Sequence, residues 1–155
     1  MKKIIVASIL LCTGLVVFTS FHDNKKKMKP AIFNHMALYV SDLNKSASFY
    51  ETLLQLKKID EPFKDGKHIW FNVGEHCQLH LITGTPKEQT HIRDTHLAFS
   101  VENLDEIIQR LEKQKIIYNN WAGSDKAPTV RSDGVKQVYL QDPDGFWIEI
   151  NDDKY

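Results

Sequence analysis

Apolar and polar positions alternate over residues 32–40 and again over 95–101, a period of two that predicts strands. Side chains of a strand point alternately to its two faces. His35, Ala37 and Tyr39 therefore share one face of the first stretch, and Met36, Leu38 and Val40 share the other. In the second stretch His96, Ala98 and Ser100 lie opposite Leu97, Phe99 and Val101. After each strand the apolar period lengthens to that of a helix. Leu43, Ala47, Tyr50, Leu53 and Leu54 form one stripe, with Ser41 or Asp42 placed to cap its start. Leu104, Ile107, Ile108 and Leu111 form a second stripe within 103–115. The apolar strand faces are expected to pack on these helices.

The two stretches are copies. His35 and His96, Ala37 and Ala98, Val40 and Val101, and Leu43 and Leu104 each stand 61 positions apart. The segments after the two helices are also alike. Residues 57–60, 67–73 and 77–83 read as strands after the first; 116–119, 136–140 and 146–150 do so after the second. Asp142-Pro143-Asp144-Gly145 marks a turn before the last strand, and 121–134 reads as a long polar loop that could serve as a lid. Residues 84–93 serve as the linker. The chain is thus expected to be α+β, with two βαβββ modules, 32–83 and 94–151, in a pseudo-twofold arrangement.

Ahead of the modules, Lys2 and Lys3 precede an apolar run to Phe18. This pattern predicts a signal peptide or N-terminal anchor over 1–21, then a flexible tether over 22–31. The run is shorter than the about 20 residues of a membrane span, and it lacks an Ala-x-Ala cleavage site. The expected location is outside the cytoplasm, periplasmic or membrane-anchored; translation from Met28 would instead leave the protein cytoplasmic. Composition narrows the partners. Twenty Lys and Arg balance twenty Asp and Glu, and loss of 1–21 removes two lysines and no acid, giving 18 − 20 = −2. Such a balance gives no attraction to a nucleic-acid backbone. Cys12 lies in the N-terminal run and Cys77 stands alone beyond it, so the processed chain has no internal disulfide and no cysteine-rich zinc site.

The candidate chemistry comes from the faces. If the modules pack about a pseudo-twofold axis around a shared cavity, His35, His80, His96 and Glu149 converge there. A carboxylate within the apolar strand 146–150 needs a partner, because burying it unpaired is very costly. Three imidazoles and one carboxylate suit one divalent ion, Zn, Ni, Co, Mn or Fe. Glu149 is also the candidate for moving a proton beside a metal-polarised carbonyl. By face, Tyr39, Gln78, Ser100 and Trp147 line the same cavity and are candidates for substrate binding. His22, His68, His76 and His91 fall in tails or beside turns and read as surface residues.

The pattern His35-x-Ala-Leu-x-Val-x-Asp-Leu-x-x-Ser-x-x-Phe-Tyr, with Asp142-Pro-Asp-Gly-x-x-Ile-Glu-Ile near the end, resembles the vicinal oxygen chelate superfamily. That group includes glyoxalase I, fosfomycin and bleomycin resistance proteins, methylmalonyl-CoA epimerase and extradiol dioxygenases. The resemblance covers about 32–151. It implies a cupped mixed β-sheet with helices outside, built around one divalent metal held by His35, His80, His96 and Glu149. The His80 position varies most within the group, and in a dioxygenase-like member His80 would be an acid–base group. Tyr39 and His80 depart from bacterial glyoxalase I, which looks to carry an arginine and a glutamate in those neighbourhoods. Arg131, with Lys126, is the cation that could meet an anionic substrate. The implied function is a metal-dependent lyase or isomerase of the glyoxalase kind, acting on a small oxygenated molecule bound through vicinal oxygens. The alternatives are an extradiol ring-cleaving dioxygenase and a non-catalytic small-molecule (antibiotic) binder. Members often pair as homodimers, some with sites shared between chains.

Overall fold

The computed structural model describes residues 28–84, 89–124 and 126–154. The compact unit runs from Ile32 to Tyr155. The expected signal or anchor, 1–21, and most of the expected tether lie outside the described residues. No helix among the described residues is long and apolar enough to cross a membrane.

The first module comprises β1 (His35–Val40), α1 (Leu43–Leu54), β2 (Lys57–Ile59), β3 (His68–Asn72) and β4 (Gln78–Thr83). The second comprises β5 (His96–Ser100), α2 (Leu104–Lys113), β6 (Tyr118–Asn119), β7 (Thr129–Val130), β8 (Lys136–Gln141) and β9 (Trp147–Asn151). Both helices start at the residue type that caps best. Asp42 accepts from the Lys45 amide, and Asn103 accepts from the Glu106 amide. Asp105 and Glu106 in the first turn of α2, with Arg110 and Lys113 in its last, oppose the helix dipole with the favourable signs. The short β7 departs from the expected loop. Thr129 and Val130 are β-branched, and Gly134 at φ 91° lets the chain reverse so that β7 pairs with β8.

Each module builds its own mixed sheet, ordered β1-β4-β3-β2 in the first and β5-β9-β8-β6 in the second, with β7 also on β8. The repeat extends to register. β1 and β4 run parallel with Ala37 opposite His80; β5 and β9 run parallel with Ala98 opposite Glu149. A small residue thus flanks two of the candidate ligands, His80 and Glu149, in the neighbouring strand.

One apolar cluster joins the modules. It contains Leu38, Val40, Leu79 and Leu81 of the first and Val138, Leu140, Ile148 and Ile150 of the second, together with residues of both helices. Full burial of each such side chain stabilises by roughly 1.5–3 kcal/mol. The turn before β9 adds a polar latch. Asp144 accepts from the Ser41 amide and hydroxyl and from the Ser46 hydroxyl, each at 2.6 Å, and Asp142 accepts from the Tyr50 hydroxyl at 2.8 Å. Burial drives the Asp142 carboxyl above the usual carboxylate range despite that bond. Burial also pushes Asp144 up, but its serine donors outweigh it and hold the group below the usual range.

Candidate metal centre

Strand alternation decides which side chains can meet. Because Leu38, Val40, Ile148 and Ile150 enter the shared core, Ala37, His35, Glu149 and Trp147 lie on the opposite faces of their strands. Ala37 and Ala98 are exposed in mid-strand, so nothing in the described chain covers them.

In the first module, His80 is the middle ring of a stack. Its imidazole lies 4.3 Å from that of His35 at an interplanar angle of 11°, and 3.8 Å from the Trp70 ring at 2°. Trp70 stands directly opposite His80 across the β3–β4 pairing. Phe63, 6.1 Å from Trp70 and 4.5 Å from His68, extends the aromatic row. His80 Nε2 bonds the Gln78 amide oxygen at 2.8 Å. That oxygen only accepts, so Nε2 carries the proton. Desolvation, then the neighbouring His35 and His68, lower the His80 pKa and favour the neutral ring. His35 has the other tautomer. Its Nδ1 donates to Asn34 Oδ1 at 2.7 Å, which leaves the Nε2 lone pair free.

The second module repeats this last arrangement. His96 Nδ1 donates to the Arg93 carbonyl at 2.7 Å, so in the neutral ring Nε2 is bare. It faces Glu149 Oε2 at 3.4 Å. Glu149 is buried, but its carboxylate is satisfied. Oε2 accepts from the Tyr139 hydroxyl at 2.5 Å and Oε1 from the Asn151 amide at 2.7 Å. Gln137 donates in turn to the Tyr139 oxygen at 2.6 Å. Burial, and then the bond to Glu149, raise the Tyr139 pKa, so the phenol stays a donor. These partners explain how an acid can stand inside an apolar strand.

The structure brings together His35 with His80, and His96 with Glu149. Among the described residues no group of three or more His, Cys, Asp or Glu surrounds a common point. The donor chemistry nonetheless fits a divalent ion at His96 and Glu149. Metal-bound imidazoles almost always fix the ring by donating the other nitrogen to an oxygen, as both His35 and His96 do. Bonds of about 2.0–2.2 Å from one ion to nitrogen and oxygen place the two donor atoms about 3.0–3.4 Å apart. The Nε2–Oε2 gap has that size, and a bare ring nitrogen facing a carboxylate oxygen, which has a lone pair left beyond its bond to Tyr139, favours a cation or proton between them. His80 does not fit beside His35 in the same way. Two rings stacked face to face keep their in-plane lone pairs in separate parallel planes, and the Nε2 of His80 is already committed to Gln78.

The expected substrate-binding residues have varied places. Gln78 orients His80, and the Ser100 hydroxyl donates to Asn151 at 2.9 Å. Tyr39 is half-buried, with its hydroxyl against Gly84. Arg131 is tied to Asp133 and lies 3.7 Å from Asp153, so carboxylates already answer its charge. Trp147 stands opposite His96 in register and carries the Arg93 guanidinium on its ring, 4.4 Å from the centroid. Trp70, Tyr139 and Arg93 are the residues that sequence reasoning missed. The first two share strand faces with His68 and Gln137, but only the pairing register sets them against His80 and Glu149. His91, expected at the surface, has a buried Nε2 and packs its ring 3.9 Å from Phe146.

Comparison with known proteins gives this arrangement its context. Residues 32–150 match the model of the Glyoxalase/Bleomycin resistance protein/Dioxygenase superfamily, and the chain belongs to that superfamily. Metallothiol transferase FosB of Shouchella clausii (strain KSM-K16) is 31% identical over 126 residues, covering 76% of this chain and 77% of the relative. Glyoxylase I 4 of Arabidopsis thaliana is 25% identical over 125 residues, covering 76% and 68%. Among solved structures, Oxidase ChaP-H1 superposes with a TM-score of 0.64 at 26% identity, covering 81% of this chain and 98% of that one.

Proposed function

We propose that this protein is a metal-dependent enzyme whose ion is held by His35, His96 and Glu149, and that it acts on a small oxygenated substrate through vicinal oxygens. The observation that carries the reading is the shared tautomer of His35 and His96. At equivalent places in the repeat, each fixes Nδ1 on an oxygen and leaves Nε2 bare, and the second faces a buried carboxylate at 3.4 Å. His35 stands on the first module and His96 with Glu149 on the second, and among the described residues no third ligand joins either pair, which supports a site completed by a second copy of the chain. Members of the superfamily commonly form dimers.

The bound ion would supply Lewis acidity, polarising a substrate carbonyl. The chain's own residues do the rest. Glu149 moves a proton at the carbon next to that carbonyl, Tyr139 and Asn151 hold its carboxylate in place, and the ring stack Trp70–His80–His35 walls the opposite side. This is isomerase or lyase chemistry of the glyoxalase kind. The test is hydrogen–deuterium exchange at the α-carbon of a small α-hydroxyketone, followed by NMR in deuterated buffer. Exchange is expected with the metal-loaded protein and is lost in Glu149→Gln. Exchange no faster than in buffer alone would refute the reading. A second reading, transfer of a thiol to a small oxygenated electrophile, is supported by the metallothiol transferase relatives. It predicts metal-dependent loss of free thiol with no deuterium exchange.

A further inference from the structure

We infer that Arg93 is an anion-recognising residue of the second module, so that the substrate carries a carboxylate or phosphate group beyond the oxygens offered to the metal. The inference rests on the metal-centre reading. Arg93 ends the expected linker, a segment whose composition suggests only a connection. Its backbone carbonyl orients His96, and its side chain returns to the same site. The guanidinium lies over Trp147, 4.4 Å from the ring centroid. Trp147 precedes Glu149 by two residues on one strand and so shares its face. On the other flank, Nη1 donates to the Trp121 carbonyl at 2.5 Å and more weakly to the Asn120 carbonyl at 3.4 Å. The Trp121 ring packs 5.2 Å from Tyr139, the residue that donates to Glu149. The cation therefore sits at the rim of the His96–Glu149 pair.

Three features say that this charge is held for something else. Among the described residues Arg93 forms no ion pair, in contrast to Arg131 with its two aspartates. Its Nε is shut off from solvent and has no hydrogen-bond partner. Carbonyls and an aromatic face hold a guanidinium in position without cancelling its charge, and the remaining fork suits a two-oxygen anion. The loop is also shaped to leave it room. Gly123 has φ +79°, and a Cβ there would stand 3.2 Å from both Nη1 and Nη2.

The test compares dihydroxyacetone with dihydroxyacetone phosphate, which offer the same vicinal oxygens and differ by a remote anion. Binding to the metal-loaded protein is measured by calorimetry, with metal content determined in the same samples. The phosphate form is expected to bind about 10- to 100-fold more tightly. Arg93→Gln should bring that ratio close to one, with affinity for dihydroxyacetone and metal content unchanged; Arg93→Lys should keep part of it. Gly123→Ala, which crowds the guanidinium, should lower the ratio in the same direction, and thermal unfolding of every variant guards against a folding defect. An unchanged ratio in Arg93→Gln, equal weakening of both ligands, or equal binding of both by the wild type would overturn the inference. If the protein takes up no metal, the metal-centre reading fails by itself. Inorganic phosphate titrated into wild type and Arg93→Gln then still decides the role of Arg93.

Discussion

Tyr139→Phe removes one oxygen from the most buried part of the site. The residue is 2% exposed, and its hydroxyl bridges Gln137 Nε2 at 2.6 Å and Glu149 Oε2 at 2.5 Å. Phenylalanine keeps the ring and its packing against His96 and Trp121, so the loss is confined to hydrogen bonding. A bond to a charged acceptor contributes about 1.5–3 kcal/mol, and an orphaned buried donor on Gln137 costs about 1–3 kcal/mol more. A water entering the space would offset part of this. The net expectation is a destabilisation of about 2–4 kcal/mol, a large share of the roughly 5–15 kcal/mol that holds a domain together. In a domain of this size each kcal/mol lowers the melting temperature by about 4 °C, which gives a fall of about 8–16 °C. The assay is thermal and urea unfolding of chelator-treated protein, in which the urea slope should not change. Because Glu149 also loses its orienting donor, metal affinity should drop about 10- to 100-fold. A melting temperature within about 2 °C of wild type would refute the assigned role of the hydroxyl.

The latch and the divided site give further expected outcomes. Ser46 is fully buried and donates to Asp144, so Ser46→Ala should cost about 1–2 kcal/mol at neutral pH, read by urea unfolding. Asp144 has a lowered folded pKa, so its stabilisation is present above the unfolded value of about 3.9 and is lost as pH falls through the folded one. The wild-type advantage over Ser46→Ala should therefore shrink below about pH 4; an advantage constant with pH would contradict the latch. Asp142, raised by burial, acts in the opposite sense and loses its contribution as pH rises through its folded pKa, which the paired comparison cancels. A site shared between chains predicts complementation. Mixed and refolded together, His35→Ala and Glu149→Gln chains should regain about one site in each mixed dimer, measured as bound metal, whereas no recovery would place the whole site within one chain.

The order strand, helix, three strands was legible because it occurs twice. His35 and His96, 61 positions apart, fix the phase of both copies, and alternation then assigns every face. The same logic marked Glu149 as a buried acid in need of partners, without naming Tyr139. Period-two patterns tell which face a side chain occupies but not which residue stands opposite. The β3–β4 register that sets Trp70 on His80 depends on how residues 73–77 turn, and the tautomer that separates His80 from His35 depends on a rotamer of Gln78, two residues back on the same strand. Face reasoning also brought four candidate ligands to one point. Among the described residues they fall instead into two pairs, His35 with His80 and His96 with Glu149, because alternation says which face a side chain takes and not how far apart two strands of different modules stand. Arg93 was missed for a different reason. A cation in a polar linker has no pattern around it, and only the folded chain shows Trp147 beneath it and, among the described residues, no acid paired with it.

Elemental analysis of the purified protein, with metal counted per chain, tests the central claim most directly. The expected result is one divalent ion per chain in the wild type and in His80→Ala, and almost none in His35→Ala, His96→Ala or Glu149→Gln. A folded wild type that takes up no metal, or a His96→Ala, Glu149→Gln double variant that keeps its full complement, would contradict it.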